Sequence, residues 1–305
     1  MKTIKINAKS IPVYEEFIPK IKYGFHNIEI QLIHSFLKEC EYQDTKKAIE
    51  ELNADISVVH TPLIKRDQTT DDIALNHLQV EEAYNMFEDT CKYAQYISNI
   101  EKHRIKVVVH TNNSKQDLQE SNMIQEKIAP KIVNTLKKYD NVDLVIENSC
   151  ATDNKRFKTV FDMDDVSFAV QKLNESLNKA KLKNKAYTLL DTCHLMMSYE
   201  AWKRISSENL LDFEQTFKMA TTNAQMGLVH LNNMWDNGFK EDHGRPFDIE
   251  HNGDLEKLEK IMNAYEKYAD CEITIEVAEK DYLGKPENIL KTKQSLEKLG
   301  YILNC

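Results

Sequence analysis

The 305-residue sequence is poor in the residues that interrupt regular structure, with 7 glycines and 6 prolines. Low-complexity segments and Gly/Pro-rich linkers are therefore missing, and residues 1–305 read as a single domain. Six cysteines, at positions 40, 91, 150, 193, 271 and 305, never fall into Cys-x-x-Cys spacing. That argues against a thiolate zinc site or a disulfide framework and for reduced, mostly buried thiols. No run approaches the roughly 18 apolar residues of a membrane span. Met1-Lys2-Thr3-Ile4-Lys5-Ile6 lacks the apolar stretch of a secretory signal, so the expectation is a soluble, cytoplasmic protein with no membrane partner. The glycine-rich loops that cradle nucleotide phosphates are also missing. The net charge of −9 disfavours wide, non-specific wrapping of nucleic acid. It leaves room for a local basic groove, and bound cations would reverse the field at a site.

What is present is a regular alternation. Short β-branched runs occur at Thr3–Asn7, Asn27–Leu32, Asp55–His60, Ile105–His110, Val142–Glu147, Tyr187–Asp191, Gly227–Leu231 and Glu272–Glu276. Each has the length of a buried parallel strand and polar flanks. Helical periodicity fills the gaps, over about Gln79 to Ile100, Gln119 to Tyr139, Asp164 to Lys181, Asp254 to Tyr268 and Asn288 to Leu299. Eight strands alternating with helices predict an α/β fold of the (β/α)8 TIM-barrel type. An open doubly wound sheet is the alternative, and it usually carries fewer strands and a glycine-rich first loop.

In such a barrel the C-terminal strand ends share one mouth, where active sites sit. At the ends of strands three to eight stand His60, His110, Glu147, Asp191, His230 and Glu276, all of metal-ligand type. Asp and Glu number 49, His 10 and Cys 6 among the 305 residues, so a run of six by chance is on the order of 10⁻⁴. His194 follows Asp191 by three residues, and Glu241, Asp242 and His243 lie in the long loop after strand seven. Four-coordinate zinc takes three or four protein ligands. This surplus therefore predicts two or three ions, with a carboxylate such as Glu147 bridging neighbours. Ions held this way polarise a phosphoryl or carbonyl oxygen and lower the pKa of bound water to about 7. A single ion between Glu147 and Glu276 would instead hold a sugar's hydroxyl and carbonyl, with one glutamate removing a proton and the other returning it.

These segments resemble the xylose-isomerase-like TIM barrels, in particular the endonuclease IV branch (AP endonuclease family 2). The similarity runs from strand two to strand eight. Its sharpest piece is Leu190-Asp191-Thr192-Cys193-His194, followed by Val229-His230-Leu231-Asn232-Asn233 and Lys240-Glu241-Asp242-His243. The resemblance implies up to three zinc ions, with manganese as the alternative metal. His60, His110 and Glu147 would hold the first. Glu147, Asp191, His230 and Glu276 would hold the second. His194, His243 and Glu241 would hold the third, with Asp242 competing for Glu241's place. It implies hydrolysis of a phosphodiester in abasic-site DNA, with Glu147 and Glu276 as the catalytic carboxylates.

The sequence also departs from that branch. Ile6-Asn7-Ala8-Lys9 replaces a strand-one histidine segment, and Leu63 stands where the branch has a tyrosine that enters the DNA stack. Glu29 in Asn27-Ile28-Glu29-Ile30 resembles the sugar isomerase and epimerase branch instead. The alternative reading is thus an isomerase or epimerase of a small sugar, using Glu147 and Glu276 as a proton-transfer pair. A barrel that keeps the cage as a metal-binding or partner-binding scaffold is the non-enzymatic reading. Three further residues are candidate substrate contacts: Arg245 for a phosphate, Trp235 for stacking on a sugar or base, and Glu29. The competing readings are a loop salt bridge for Arg245, rim packing for Trp235, and buried or solvated histidines at positions 26, 34, 77, 103 and 251.

Overall fold

The computed structural model describes residues 2–33, 37–66, 69–111, 124–149, 163–203, 211–235 and 244–305. Eight parallel strands close on themselves: β1 (Thr3–Ser10), β2 (Asn27–Gln31), β3 (Asp55–His60), β6 (Ile105–His110), β7 (Val142–Glu147), β8 (Ala186–Asp191), β9 (Met226–Leu231) and β10 (Glu272–Ile275). The seam is sealed by parallel pairing of β1 with β10, Ile6 opposite Ile273 and Ala8 opposite Ile275. This is a TIM barrel, as the alternation predicted. β4 (Leu63–Arg66) and β5 (Thr69–Asp72) form an antiparallel hairpin inserted after β3. β11 (Ile302–Asn304) lies beside the first residues of β1, where Asn27 Nδ2 donates to Asn304 O at 2.8 Å.

The helices pack outside: α1 (Tyr14–Lys22), α2 (Glu39–Leu52), α3 (Glu81–Glu101), α4 (Ala129–Leu136), α5 (Met163–Lys179), α6 (Thr192–Lys203), α7 (Phe213–Ala220), α8 (Asp254–Tyr268) and α9 (Glu287–Lys298). α3, α5, α8 and α9 agree with the periodic segments to within about two residues. Of the segment expected from about Gln119, residues 124–136 are helical, with a π turn at Ile124–Ile128 before α4, and 119–123 lie outside the described residues. The sequence pattern missed α1, α2, α6 and α7. α1 carries Pro19 in its interior, and α2 buries only Glu41, Thr45 and Ala48. α6 begins at the residue after β8, so no polar break separates strand from helix.

Strand alternation sorts the side chains into two cores. Ile4, Ile6, Val107, Val109, Leu144, Ile146, Ile273 and Ile275 face the helices and join one large apolar cluster with Phe17, Phe87, Leu173 and Ile261. The intervening residues face the lumen. At its centre Val58, Val108, Val145, Leu189 and Leu228 form a separate apolar ring. Towards the N-terminal end, Glu272 gathers Lys106 Nζ (2.5 Å), Ser57 Oγ (2.8 Å) and Asn7 Nδ2 (3.1 Å). Gly227 is required there: a Cβ on it would meet Tyr187 Cβ at 2.6 Å. The inward residues beyond the ring, at the opposite end, make the candidate site. Cys91 and Cys193 are buried and Cys40 is exposed. Cys150 and His34 lie outside the described residues. No described helix is long and apolar enough to cross a membrane.

Candidate metal centre at the barrel mouth

The strand ends bring His60, His110, Glu147, Asp191 and His230 together as buried side chains, with Glu276 one residue past β10. Their ligand-capable atoms fall into two groups that share Glu147: His60, His110 and Glu147, and then Glu147, Asp191, His230 and Glu276. Within each group these atoms all lie within 4.8 Å of one another. Glu147 Oε2 is 3.3 Å from His60 Nε2 and 3.1 Å from His110 Nε2. Its Oε1 is 3.3 Å from His230 Nδ1 and 3.4 Å from His194 Nδ1. The two oxygens of one carboxylate therefore address opposite sides of the mouth.

The surrounding bonds orient these side chains. His60 Nδ1 donates to Thr61 O at 2.9 Å, which turns Nε2 toward Glu147. Asp191 caps α6: its Oδ1 accepts from the backbone N–H of His194, the third helical residue, at 2.6 Å. Its Oδ2 accepts from Asn232 Nδ2 at 2.9 Å, and Asn148 bonds both its backbone N–H (2.7 Å) and its carbonyl (3.2 Å). The Asp-Thr-Cys-His segment is thus a strand end and a helix start in one. His194 sits on the first turn of α6 with Nδ1 donating to Asn148 O at 2.8 Å, and it lies outside both ligand groups. Glu241, Asp242 and His243 lie outside the described residues.

The charges explain why such a cluster demands cations. Burial, the largest single influence on His230, opposes its charged form, yet Glu29, Glu276 and Glu147 together lift its pKa well above the ordinary imidazole value. Burial likewise works against an ionised Glu147, and His110 and His230 overcome it, holding that carboxyl well below the usual range. His230 has carboxylates against both ring nitrogens: Glu276 Oε2 lies 2.6 Å from Nδ1 and Glu29 Oε2 3.0 Å from Nε2. A neutral imidazole has one N–H, so one face needs a second positive charge, a proton or a metal. The mixed imidazole and carboxylate donor set fits zinc or manganese.

Lys9 is a component that sequence reasoning left without a role. Its Nζ lies 2.5 Å from Glu276 Oε1 and 3.6 Å from Glu29 Oε1. Burial disfavours the ammonium, but Glu276, Glu29 and Glu147 raise its pKa above the usual lysine value. The signal for it was the inward series Lys5, Asn7, Lys9 on a strand whose other face is Ile4, Ile6, Ala8.

The three expected substrate contacts are placed differently. Arg245 is buried and forked onto Asp254, with Nη1 to Oδ2 at 2.9 Å, Nη2 to Oδ1 at 2.6 Å, and Nε donating to Met234 O. Its paired N–H groups hold the start of α8, the salt bridge that was the competing reading for this residue. Glu29 is fully buried and bonded to His230 and Thr274, so it backs His230 rather than meeting solvent. Trp235 follows β9 at the mouth end and is exposed.

No protein-family model matches this sequence, and no curated protein does. Solved structures match along nearly the whole chain. An AP endonuclease, family 2, from Brucella melitensis is 9% identical with a TM-score of 0.56, covering 94% of this chain and 96% of its own. A D-tagatose 3-epimerase-like protein is 14% identical with a TM-score of 0.60, covering 97% and 98%. A Thermus thermophilus protein solved after soaking with ZnCl2 is 16% identical with a TM-score of 0.57, again covering 97% and 98%. The structural neighbours are xylose-isomerase-like TIM barrels, and the likeness establishes the fold.

Proposed function

We propose that the mouth binds more than one divalent cation, zinc by preference, and that the protein is a metal-dependent phosphodiesterase, with abasic-site DNA as the substrate to test. The observation that carries this reading is the shared carboxylate: Glu147 turns one oxygen to His60 and His110 and the other to His230. An ion at the Glu147, Asp191, His230 and Glu276 group alone would leave the His60–His110 pair, whose Nε2 atoms lie 3.4 Å apart, without a cation. Both histidines would be costly to bury without charge to meet them.

His60, His110 and Glu147 would hold one ion, and Glu147, Asp191, His230 and Glu276 a second. When bound, such ions supply Lewis acidity toward a phosphoryl oxygen and a nucleophile at neutral pH. The chain's own residues do the rest. Glu147 sets the spacing between the groups. Asn232 and the α6 N-terminus hold Asp191 in one orientation. Lys9 keeps Glu276 aimed along the β1–β10 seam. His194, Glu241 and His243 remain the proposed third group.

The alternative is the sugar isomerase or epimerase with Glu147 and Glu276 exchanging a proton. Similarity to an epimerase-like structure supports it, and so does Leu63, exposed where a DNA-stacking tyrosine would stand. Against it, Glu276 is already engaged by Lys9 and His230, which suits a ligand better than a group that must accept and release a proton. Zinc-loaded protein should nick an abasic-site duplex, a chelator should abolish the nicking, and Glu276→Gln should show none. Absence of nicking by the wild type, with proton exchange at a keto-sugar carbon, would transfer the assignment to the isomerase.

A further inference from the structure

We infer that Glu29 is a positioning residue that selects which nitrogen of His230 is offered to a cation. This inference rests on the metal reading above and concerns a residue of β2, on the far side of the β1 and β10 strands from β9. Glu29 Oε2 lies 3.0 Å from His230 Nε2 and accepts from Thr274 Oγ1 at 2.7 Å. Its Oε1 makes no hydrogen bond among the described residues and faces Lys9 Nζ at 3.6 Å. The other nitrogen, Nδ1, looks toward three carboxylates, Glu276 Oε2 at 2.6 Å, Glu147 Oε1 at 3.3 Å and Asp191 Oδ2 at 3.9 Å.

The selection follows from hydrogen-bond inventory. A neutral imidazole has one proton and one lone pair. With a cation among the three carboxylates, the Nδ1 lone pair has a positive partner, and the ring's one proton is left to meet the buried Glu29. The proton therefore resides on Nε2, donated to Glu29, and the lone pair on Nδ1 points into the acid group. A carboxylate accepting the distal N–H also makes the ring a stronger donor toward a metal.

The fold goes to some length to aim Glu29. The pairing of β2 with β3 shifts register at Ile28/Glu29, where Ile28 faces Ile56 but Glu29 faces Val58, skipping Ser57. The β1–β2 register then sets Lys9 directly opposite Glu29, so the buried carboxylate has a cation on one side and an N–H donor on the other. Thr274, on the neighbouring β10, supplies the third contact. Three strands thus converge on one side chain that touches neither solvent nor the ligand-facing nitrogen.

The test uses the full-length chain with zinc alone. Calorimetric titration of wild type and Glu29→Gln should give about 10- to 100-fold weaker zinc binding in the variant. A purely architectural Glu29 would lower the melting temperature of the metal-free protein and leave zinc affinity alone. Equal affinity in a folded Glu29→Gln would overturn the inference. Imidazole ¹⁵N spectra of the zinc-loaded wild type provide a second readout that needs no variant. His230 should carry its proton on Nε2 and its zinc on Nδ1, and the reverse assignment would overturn the inference even if Glu29→Gln fails to fold. If the wild type binds no zinc or manganese at all, the metal reading fails instead.

Discussion

Lys9 Nζ lies 2.5 Å from Glu276 Oε1, so an ion pair spans the seam where the first and last barrel strands meet. Both side chains are mostly buried, and Lys9 also faces Glu29. Removing the ammonium strands two carboxylates in a low-dielectric rim. Lys9→Gln should therefore destabilise the metal-free protein by about 3 kcal/mol, and added zinc should restore part of the loss. Urea unfolding with and without zinc measures both effects. An unchanged midpoint would mean that the pair is not formed in solution.

Glu147 is the one residue common to both ligand groups. Glu147→Gln should therefore lower the metal content of both, whereas His60→Ala should lower only one. Metal analysis of the purified proteins distinguishes these outcomes. Identical metal content in the two variants would remove the bridging role. For wild type, zinc at about 100 times its Kd should add about 2.7 kcal/mol of stability, and a chelator should reverse it.

A pH effect is expected at the opposite end of the barrel. His103 Nε2 lies 3.0 Å from Asp55 Oδ1, and Lys5 pairs with Asp55 Oδ2 at 3.1 Å. The bond from His103, against the opposition of burial, holds Asp55 down to about 2, and the same bond raises His103 above the ordinary imidazole value. The raised histidine stabilises fully below its unfolded pKa of about 6.5 and loses this as pH rises through its folded value. The depressed aspartate stabilises above its unfolded pKa of about 3.9 and loses this as pH falls toward about 2. The pair is thus at full strength between roughly pH 4 and 6.5. Both groups are about two-fifths exposed, so solvent screening limits the contribution to about 0.5–1 kcal/mol. His103→Gln should cost this much at pH 5 and less at pH 9, and a pH-independent cost would contradict the assignment.

Gly227 admits no side chain. A Cβ there would stand 2.6 Å from Tyr187 Cβ and 3.0 Å from Val145 Cγ1, both attached to fixed strand backbone. Gly227→Ala should destabilise the barrel by about 1–3 kcal/mol through overpacking. It should also weaken zinc binding, because His230 lies three residues along the same strand. A neutral Gly227→Ala in thermal unfolding would show that β8 and β9 can part at this level.

The fold was legible in the chain itself. Eight β-branched runs with polar flanks require only local periodicity to be recognised, and strand alternation alone sends each residue near the end of a run to a definite face. Hence His60, His110, Glu147, Asp191, His230 and Glu276 could be named as a set from their spacing. What local pattern cannot carry is distance across the lumen, which depends on closure, stagger and the register shift at Ile28/Glu29. Only the closed barrel decided that Glu147 turns an oxygen to each group, that Lys9 meets Glu276 across the seam, and that Glu29 lies against His230. It also decided that Arg245 is held by Asp254, nine residues on, because a guanidinium buried beside a carboxylate takes that partner before any from solvent.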